Sequence, residues 1–212
     1  MTVVTRVHLL RHGEVHNPGK VLYGRLPGFR LSDTGEAMAV MAAAALTGRD
    51  VTLLLTSPLE RAQQTAEPLA KVLDLTPRVD DRLIESGNKF EGRTVDRGWK
   101  SFTDPAALTL LRNPFEPSWG EPYAETAQRM LEAVTDARDE AYGHEAVAVS
   151  HQLPIYVLRR FVEGRRLAHR PDKRQCGLAS YTTLTWHDRR LASVTYTEPA
   201  GALSRKPATP GA

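Results

Sequence analysis

Five residues in this chain have side chains suited to moving a phosphoryl group: Arg11, His12, Arg61, Glu85 and His151. Such chemistry needs a nucleophile, cations to hold the phosphate oxygens, and an acid to protonate the departing oxygen. Arginine meets the second need, because its planar fork matches phosphate and its charge is permanent. Arg11 and Arg61 are the candidates for it. A neutral imidazole can attack phosphorus and form a covalent intermediate, dividing one hard step into two. His12 can do this if one ring nitrogen is hydrogen-bonded, to a backbone carbonyl for example, and the other is free. His151 is a second imidazole, able to donate to a phosphate oxygen as charge shifts. Glu85 opens an irregular segment and is the candidate acid, since a neighbouring phosphate dianion raises a carboxyl pKa. Glu14 and Glu91 compete for that role.

These residues share a context. Val3, Val4, Val7, Leu9 and Leu10 read as a buried strand that Gly13 ends. Residues 51–56 form a second apolar strand, after which Ser57-Pro58 opens a helix from Leu59 to about Leu73, with proline in its permitted first turn. A short apolar run, Ala146 to Ser150, leads to His151 and a helix over Gln152 to Val162. Arg11-His12, Ser57 to Arg61, and Ser150-His151 therefore all stand where a strand gives way to a loop or helix. In open α/β sheets, ligands bind beyond those carboxyl ends.

The remaining elements complete an α/β pattern with a mainly parallel sheet. Residues 14–32, rich in Gly, Pro and Asn, make a long loop of the kind that often carries function. Ser32 or Asp33 caps a helix reaching about Leu46. A short strand near Arg78-Val79 precedes an irregular stretch over roughly 85–100, and helices are expected at 104–112 and 122–142. Residues 179–186 and 191–197 alternate as a closing hairpin turned at His187 to Arg190. Residues 1–198 read as one domain, and the Pro/Ala-rich tail of 199–212 is expected to be loosely held.

Composition narrows the partners. A formal charge of +3 on 212 residues is mildly basic, too little to mark a nucleic-acid binder without a concentrated face. Arg159 to Arg174 does hold seven Lys/Arg and His169, but without interleaved aromatics it reads as a solvated helix end and loop. Cys176 is the sole cysteine, which excludes an intrachain disulfide and Cys-rich metal sites. No signal-peptide core or membrane-length apolar run is visible, so the expectation is a cytoplasmic protein without membrane, nucleic-acid or cofactor partners. Oligomeric state is open, a homodimer being one option.

The run Leu10-Arg11-His12-Gly13-Glu14 resembles the signature of the histidine phosphatase superfamily, also called phosphoglycerate mutase-like. The likeness continues through Asn17, Gly24, Leu31, Ser32, Gly35 and Ala39, then through Thr56-Ser57-Pro58-Leu59-Glu60-Arg61-Ala62-Gln63-Gln64-Thr65-Ala66. It resumes at Leu83-Ile84-Glu85, Phe90-Glu91-Gly92 and Val149-Ser150-His151, so the blocks span about residues 5–160 in family order. The resemblance implies a three-layer α/β/α fold and chemistry that needs no metal. It implies that His12 is the phosphorylated nucleophile, that Arg11, Arg61 and His151 complete the phosphate pocket, and that Glu85 is the proton donor. Asn17 matches a further phosphate contact, and the backbone N–H of Gln152 at a helix start could reach the same anion. Tyr23 and Arg25, in the long loop, either contact substrate or cover the rim. The chain departs from the pattern in its shorter spacing from Glu85 to Glu91-Gly92, in Phe90 where an aromatic such as Trp is usual, and in Pro122 after Gly120-Glu121.

The expectation is a hydrolase: a phosphomonoesterase acting on a small phosphorylated metabolite through a phosphohistidine. A phosphoglycerate mutase-type phosphotransferase is the alternative within the superfamily, disfavoured because the segment from Gly92 to Glu121 is short. A non-catalytic phospho-ligand-binding module is the alternative of another class, though every pocket residue is retained.

Overall fold

The computed structural model describes residues 2–94 and 120–203. Its sheet has six strands: β1 (Val4–Arg11), β2 (Val51–Thr56), β3 (Arg78–Val79), β4 (Glu145–Ser150), β5 (Tyr181–His187) and β6 (Arg190–Thr197), ordered β3-β2-β4-β1-β5-β6. The first four strands run parallel, and the β5-β6 hairpin adds an antiparallel edge beyond β1. β4 is buried along its whole length between β1 and β2, as its Ala/Val sequence requires of a strand covered on both faces.

Side-chain alternation assigns the two faces. Val7, Leu9, Leu53, Leu55, Ala146 and Ala148 pack with helices α3 (Tyr123–Glu140) and α4 (Gln152–Val162) through Met130, Val134, Ile155 and Leu158. Leu10, Leu54, Val147 and Val149 turn the other way, onto α1 (Asp33–Ala44) and α2 (Glu60–Leu73) through Met38, Ala42, Ala62 and Leu69. The result is the expected three-layer α/β/α arrangement.

α1 begins where the sequence signals. Ser32 Oγ accepts from the Gly35 N–H at 3.1 Å, and Asp33 and Glu36 lie in the first turn. Ser32 N–H also donates to Glu14 O at 3.0 Å, closing the neck of the 14–32 loop. There the backbones touch: a Cβ on Gly13 would fall 2.4 Å from Gly35 O, and one on Gly35 would fall 2.0 Å from Glu14 O. Only glycine fits at either position, so the end of β1 lies directly on the first turn of α1.

Two expectations change. α2 starts at Glu60 with Leu59 as its N-cap, which places Pro58 ahead of the helix rather than in its first turn. The tail is not loose at its start, since Ala200 is fully buried in the cluster around Leu10, Met38 and Tyr181. The helix expected at 104–112 lies outside the described residues. Among the described residues, no helix is long and apolar enough to cross a membrane.

Candidate active site

The parallel strands bring the chemistry to one rim. The His12 N–H donates to Ser150 O at 3.1 Å and the Ser57 N–H to Val149 O at 2.9 Å, so the ends of β1, β2 and β4 lie side by side. His12 is fully buried. Its Nδ1 lies 2.8 Å from Gly13 O, a group that only accepts, so Nδ1 carries the proton and Nε2 presents a lone pair. Burial first, then the charges of Arg61 and Arg11, hold this imidazole well below its ordinary pKa and keep it neutral. The Gly13 N–H donates to Thr65 Oγ1 at 3.1 Å, and that hydroxyl donates to Arg61 O, tying the nucleophile's loop to α2.

His151 caps α4 and sits beside His12, ring centroids 5.1 Å apart. Its Nε2 bonds Ser57 Oγ at 2.7 Å, and burial lowers its pKa well below 6.5 as well. Arg11 is anchored by Nη1 to Cys176 O at 2.7 Å, and Arg61 by Nη2 to Gly24 O at 2.6 Å. The Arg61 guanidinium lies over the Tyr23 ring, 4.8 Å from its centroid, and Phe29 stacks on that ring in turn. Glu85 is buried; its Oε1 accepts from the Ser86 N–H at 2.8 Å. Burial raises the Glu85 pKa, against the opposing pull of the Ser86 N–H, Arg61, Arg174 and Arg11.

One observation unites these side chains. Six buried side-chain polar atoms have no hydrogen-bond partner among the described residues, and five of them are Arg11 Nε, His12 Nε2, Arg61 Nε, Glu85 Oε2 and His151 Nδ1. The sixth, Thr182 Oγ1 on β5, has no structural explanation. Leaving a buried polar group unpaired costs about 1–3 kcal/mol, more when charged. Two guanidiniums, two imidazole nitrogens and one carboxyl oxygen thus form a set complementary to a phosphate ester. Residues 7–199 match the profile of the histidine phosphatase superfamily, branch 1.

The chain belongs to the histidine phosphatase superfamily.

An uncharacterized protein of Mycobacterium tuberculosis is 54% identical over 196 residues, covering 92% of this chain and 97% of its own. Glucosyl-3-phosphoglycerate phosphatase from the same species is 30% identical over 194 residues, 86% of each chain. The native structure of the mycobacterial form superposes with a TM-score of 0.73 at 28% identity, over 92% of this chain and 98% of that one. A probable phosphoglycerate mutase of Photorhabdus laumondii is 29% identical over 206 residues, 94% of each chain. This superfamily member therefore has relatives named as a phosphatase and as a probable mutase.

The long loop divides differently from expectation. Tyr23 joins the pocket beneath Arg61. Asn17, expected at the phosphate, has its amide directed to Val21, with Nδ2 donating to Val21 O at 2.8 Å and Oδ1 accepting from Val21 N–H at 3.0 Å. The side chain is short and the turn lies next to it, so the local pairing wins. Arg25 is held by two partners: Nε donates to Glu85 O at 2.6 Å and Nη2 to Glu121 Oε2 at 2.7 Å. It fixes the backbone of the candidate acid. Gln152 sits at the start of α4, and its side chain donates to Cys176 O at 3.3 Å. Sequence reasoning placed Ser57 on the rim without giving its hydroxyl a role, and did not single out Thr65 or the carbonyls of Gly24 and Cys176. Ser57 and Thr65 lay within the Thr56-to-Ala66 block, whereas a backbone carbonyl leaves no trace in residue type.

Proposed function

We propose that this protein is a metal-independent phosphomonoesterase that cleaves a small phosphorylated metabolite through a phosphohistidine on His12. The free, unprotonated Nε2 of His12, within the field of Arg61 and Arg11, carries the reading. Nε2 attacks phosphorus as the bond to the leaving oxygen breaks, and Glu85 gives its proton to that oxygen. Glu85, now a carboxylate, takes a proton from water while the water oxygen attacks phosphorus. The bond to Nε2 then breaks, phosphate leaves, and both residues return to their starting states. Arg11, Arg61, His151 and the first-turn N–H of Gln152 bind the transferring oxygens. The charge of the phosphate is met by guanidiniums, so no divalent ion is needed.

Rapid quench into alkaline detergent after mixing with phenyl phosphate labelled at phosphorus, in the presence of a chelator, tests this reading. An acid-labile, alkali-stable phosphoenzyme should appear and vanish in H12A. Full turnover by H12A, or none by the wild type on any phosphoester, would overturn it. Glycerol added to the reaction separates hydrolysis from mutase-type transfer. Release of free phosphate as the dominant product supports the hydrolase, and quantitative transfer to a second hydroxyl supports the mutase alternative.

A further inference from the structure

Glu85 stands on a stretch of chain with no regular structure. After the single turn Asp81–Leu83, residues 84–87 belong to no helix or strand, so no ladder takes up their carbonyls. Groups from distant elements do so instead. Arg129 Nη1 on α3 donates to Arg82 O, and Ser150 Oγ at the end of β4 donates to Leu83 O at 2.7 Å. Arg25 Nε from the long loop donates to Glu85 O at 2.6 Å, and the Glu121 N–H donates to Gly87 O at 3.0 Å.

Arg25 and Arg129 meet at one carboxylate. Glu121 Oε2 accepts from Arg25 Nη2 at 2.7 Å and from Arg129 Nη2 at 3.1 Å, and Oε1 accepts from Arg129 Nε at 2.6 Å. Burial would raise the Glu121 pKa, but the bonds and charge of Arg129 and the charge of Arg25 outweigh it and leave it depressed. Glu85 is shifted the opposite way by its burial. One carboxyl group therefore stays charged as a structural anion, and the other is pushed toward its protonated form.

This arrangement bears on one step of the reaction. The two arginines grip the chain at Arg82 and Glu85, and long side chains keep a single geometry only if something offsets their lost rotamer freedom. Glu121 supplies that for both at once. A group that must deliver a proton needs its position fixed to within about 0.5 Å. The nucleophile and the phosphate ligands are anchored elsewhere, at Gly13 O, Cys176 O, Gly24 O and Ser57 Oγ.

We propose that Glu121 is a positioning residue for the general acid: by holding Arg25 and Arg129 together it fixes the segment that carries Glu85. This rests on the phosphomonoesterase reading of the same site.

The test compares phenyl phosphate, whose leaving oxygen needs a proton, with nitrophenyl phosphate, whose leaving oxygen scarcely does. E121Q, with R25K as a second variant, should lower kcat on phenyl phosphate about tenfold at little change in KM, and on nitrophenyl phosphate less than about threefold. In an E85Q background, E121Q should add no further loss. As the loosened segment admits water, the raised pKa of Glu85 should fall, so the alkaline limb of kcat/KM moves to lower pH. Equal slowing of both esters, an undiminished loss in the E85Q background, or wild-type rates in both variants overturns the role. If the wild type hydrolyses neither ester, the catalytic reading is what fails, and an NMR titration of the Glu85 carboxyl carbon still decides the positioning. A midpoint that moves toward 4.5 in E121Q supports it, and an unchanged midpoint overturns it.

Discussion

Strands β1 and β4 carry buried polar clusters at both ends, made from the same residue types. Near their amino ends, Glu145 accepts from both sides of the Arg49 fork at 2.7 Å, from Arg6 at 3.2 Å and from His8 Nε2 at 3.0 Å, while His8 Nδ1 meets Thr183 Oγ1 at 2.8 Å. Every polar atom of Glu145 and His8 is paired there. At the carboxyl ends, His12, Arg11, Arg61, Glu85 and His151 each keep one buried atom unpaired. Burial and charge are therefore poor guides to function when taken alone. Satisfaction is the better one: the paired cluster staples β1, β4 and the segment leading into β2, whereas the unpaired one is ready for a ligand.

Mutation should separate the two ends. The largest effect belongs to H12A, which should lower hydrolysis of any phosphoester by roughly 10⁴-fold or more. Its Tm should stay within about 4 °C of wild type, because little stabilising contact is lost. E145A should do the reverse, retaining turnover while losing about 1–3 kcal/mol in denaturant unfolding, an allowance reduced because Arg6 and Arg49 are partly exposed. If E145A removed activity as thoroughly as H12A, the distinction between staple and site would collapse.

E85Q should come next, slowing esters of poor leaving alcohols by roughly 10²–10³-fold and nitrophenyl phosphate far less. Equal slowing of both would assign the proton to another group. The pH profile sharpens this. Turnover needs His12 neutral and Glu85 protonated, and burial shifts the first pKa down and the second up. The acid limb of kcat/KM should thus lie well below pH 6.5, and the alkaline limb, set by Glu85 above 4.5, should flatten in E85Q.

A smaller effect concerns acid stability. Burial pushes the Glu145 pKa up, but the bonds from His8 and Arg49 outweigh it and leave it depressed. A depressed carboxyl stabilises the fold above its unfolded pKa and loses that stabilisation as pH falls through its folded value. Wild type should be more stable than E145Q near neutrality, and the gap should close on acidification below about 4.5. A gap independent of pH would show that packing, and not charge, holds this end. N17A should be the mildest, about 0.5–1 kcal/mol from loss of a loop turn, with kcat/KM on phenyl phosphate changed by less than about threefold. A loss of tenfold or more would put its amide on the phosphate after all.

Much of this was legible because the sheet is local in its logic. Short runs of apolar strand formers located β1, β2 and β4, and a strand's end is where its next side chain must emerge, so Arg11-His12, Ser57 and His151 could be placed on one rim. The hidden features depend on contacts between distant segments. Arg25 reaches Glu121 across 96 positions, and the loop that holds it has no periodicity from which to infer direction. Arg174 looked like one more cation in a basic run, and only its bonds to His169 and Gln152 separate it from its neighbours. Ala200 lay in a segment of low hydropathy, yet a methyl group suffices to fill a small gap in the core.

The contact between Gly13 and Gly35 has a consequence for exchange of parts. Both ends of the long loop meet at that point, held by Glu14 and Ser32, with Val15 bridged to Leu31 and His16 to Arg30. A loop whose feet are clamped together behaves as a cassette, since its length adds only slowly to the entropy of closure. The span between positions 17 and 29 can therefore be exchanged with His12 left in register, provided the insert returns the Gly24 carbonyl to Arg61, the Tyr23 ring beneath it and the Arg25 bond to Glu85 O. Phosphoenzyme formation with an aryl phosphate is the readout for such grafts. Its loss in grafts that keep both glycines and those three contacts would show that the clamp does not insulate the nucleophile.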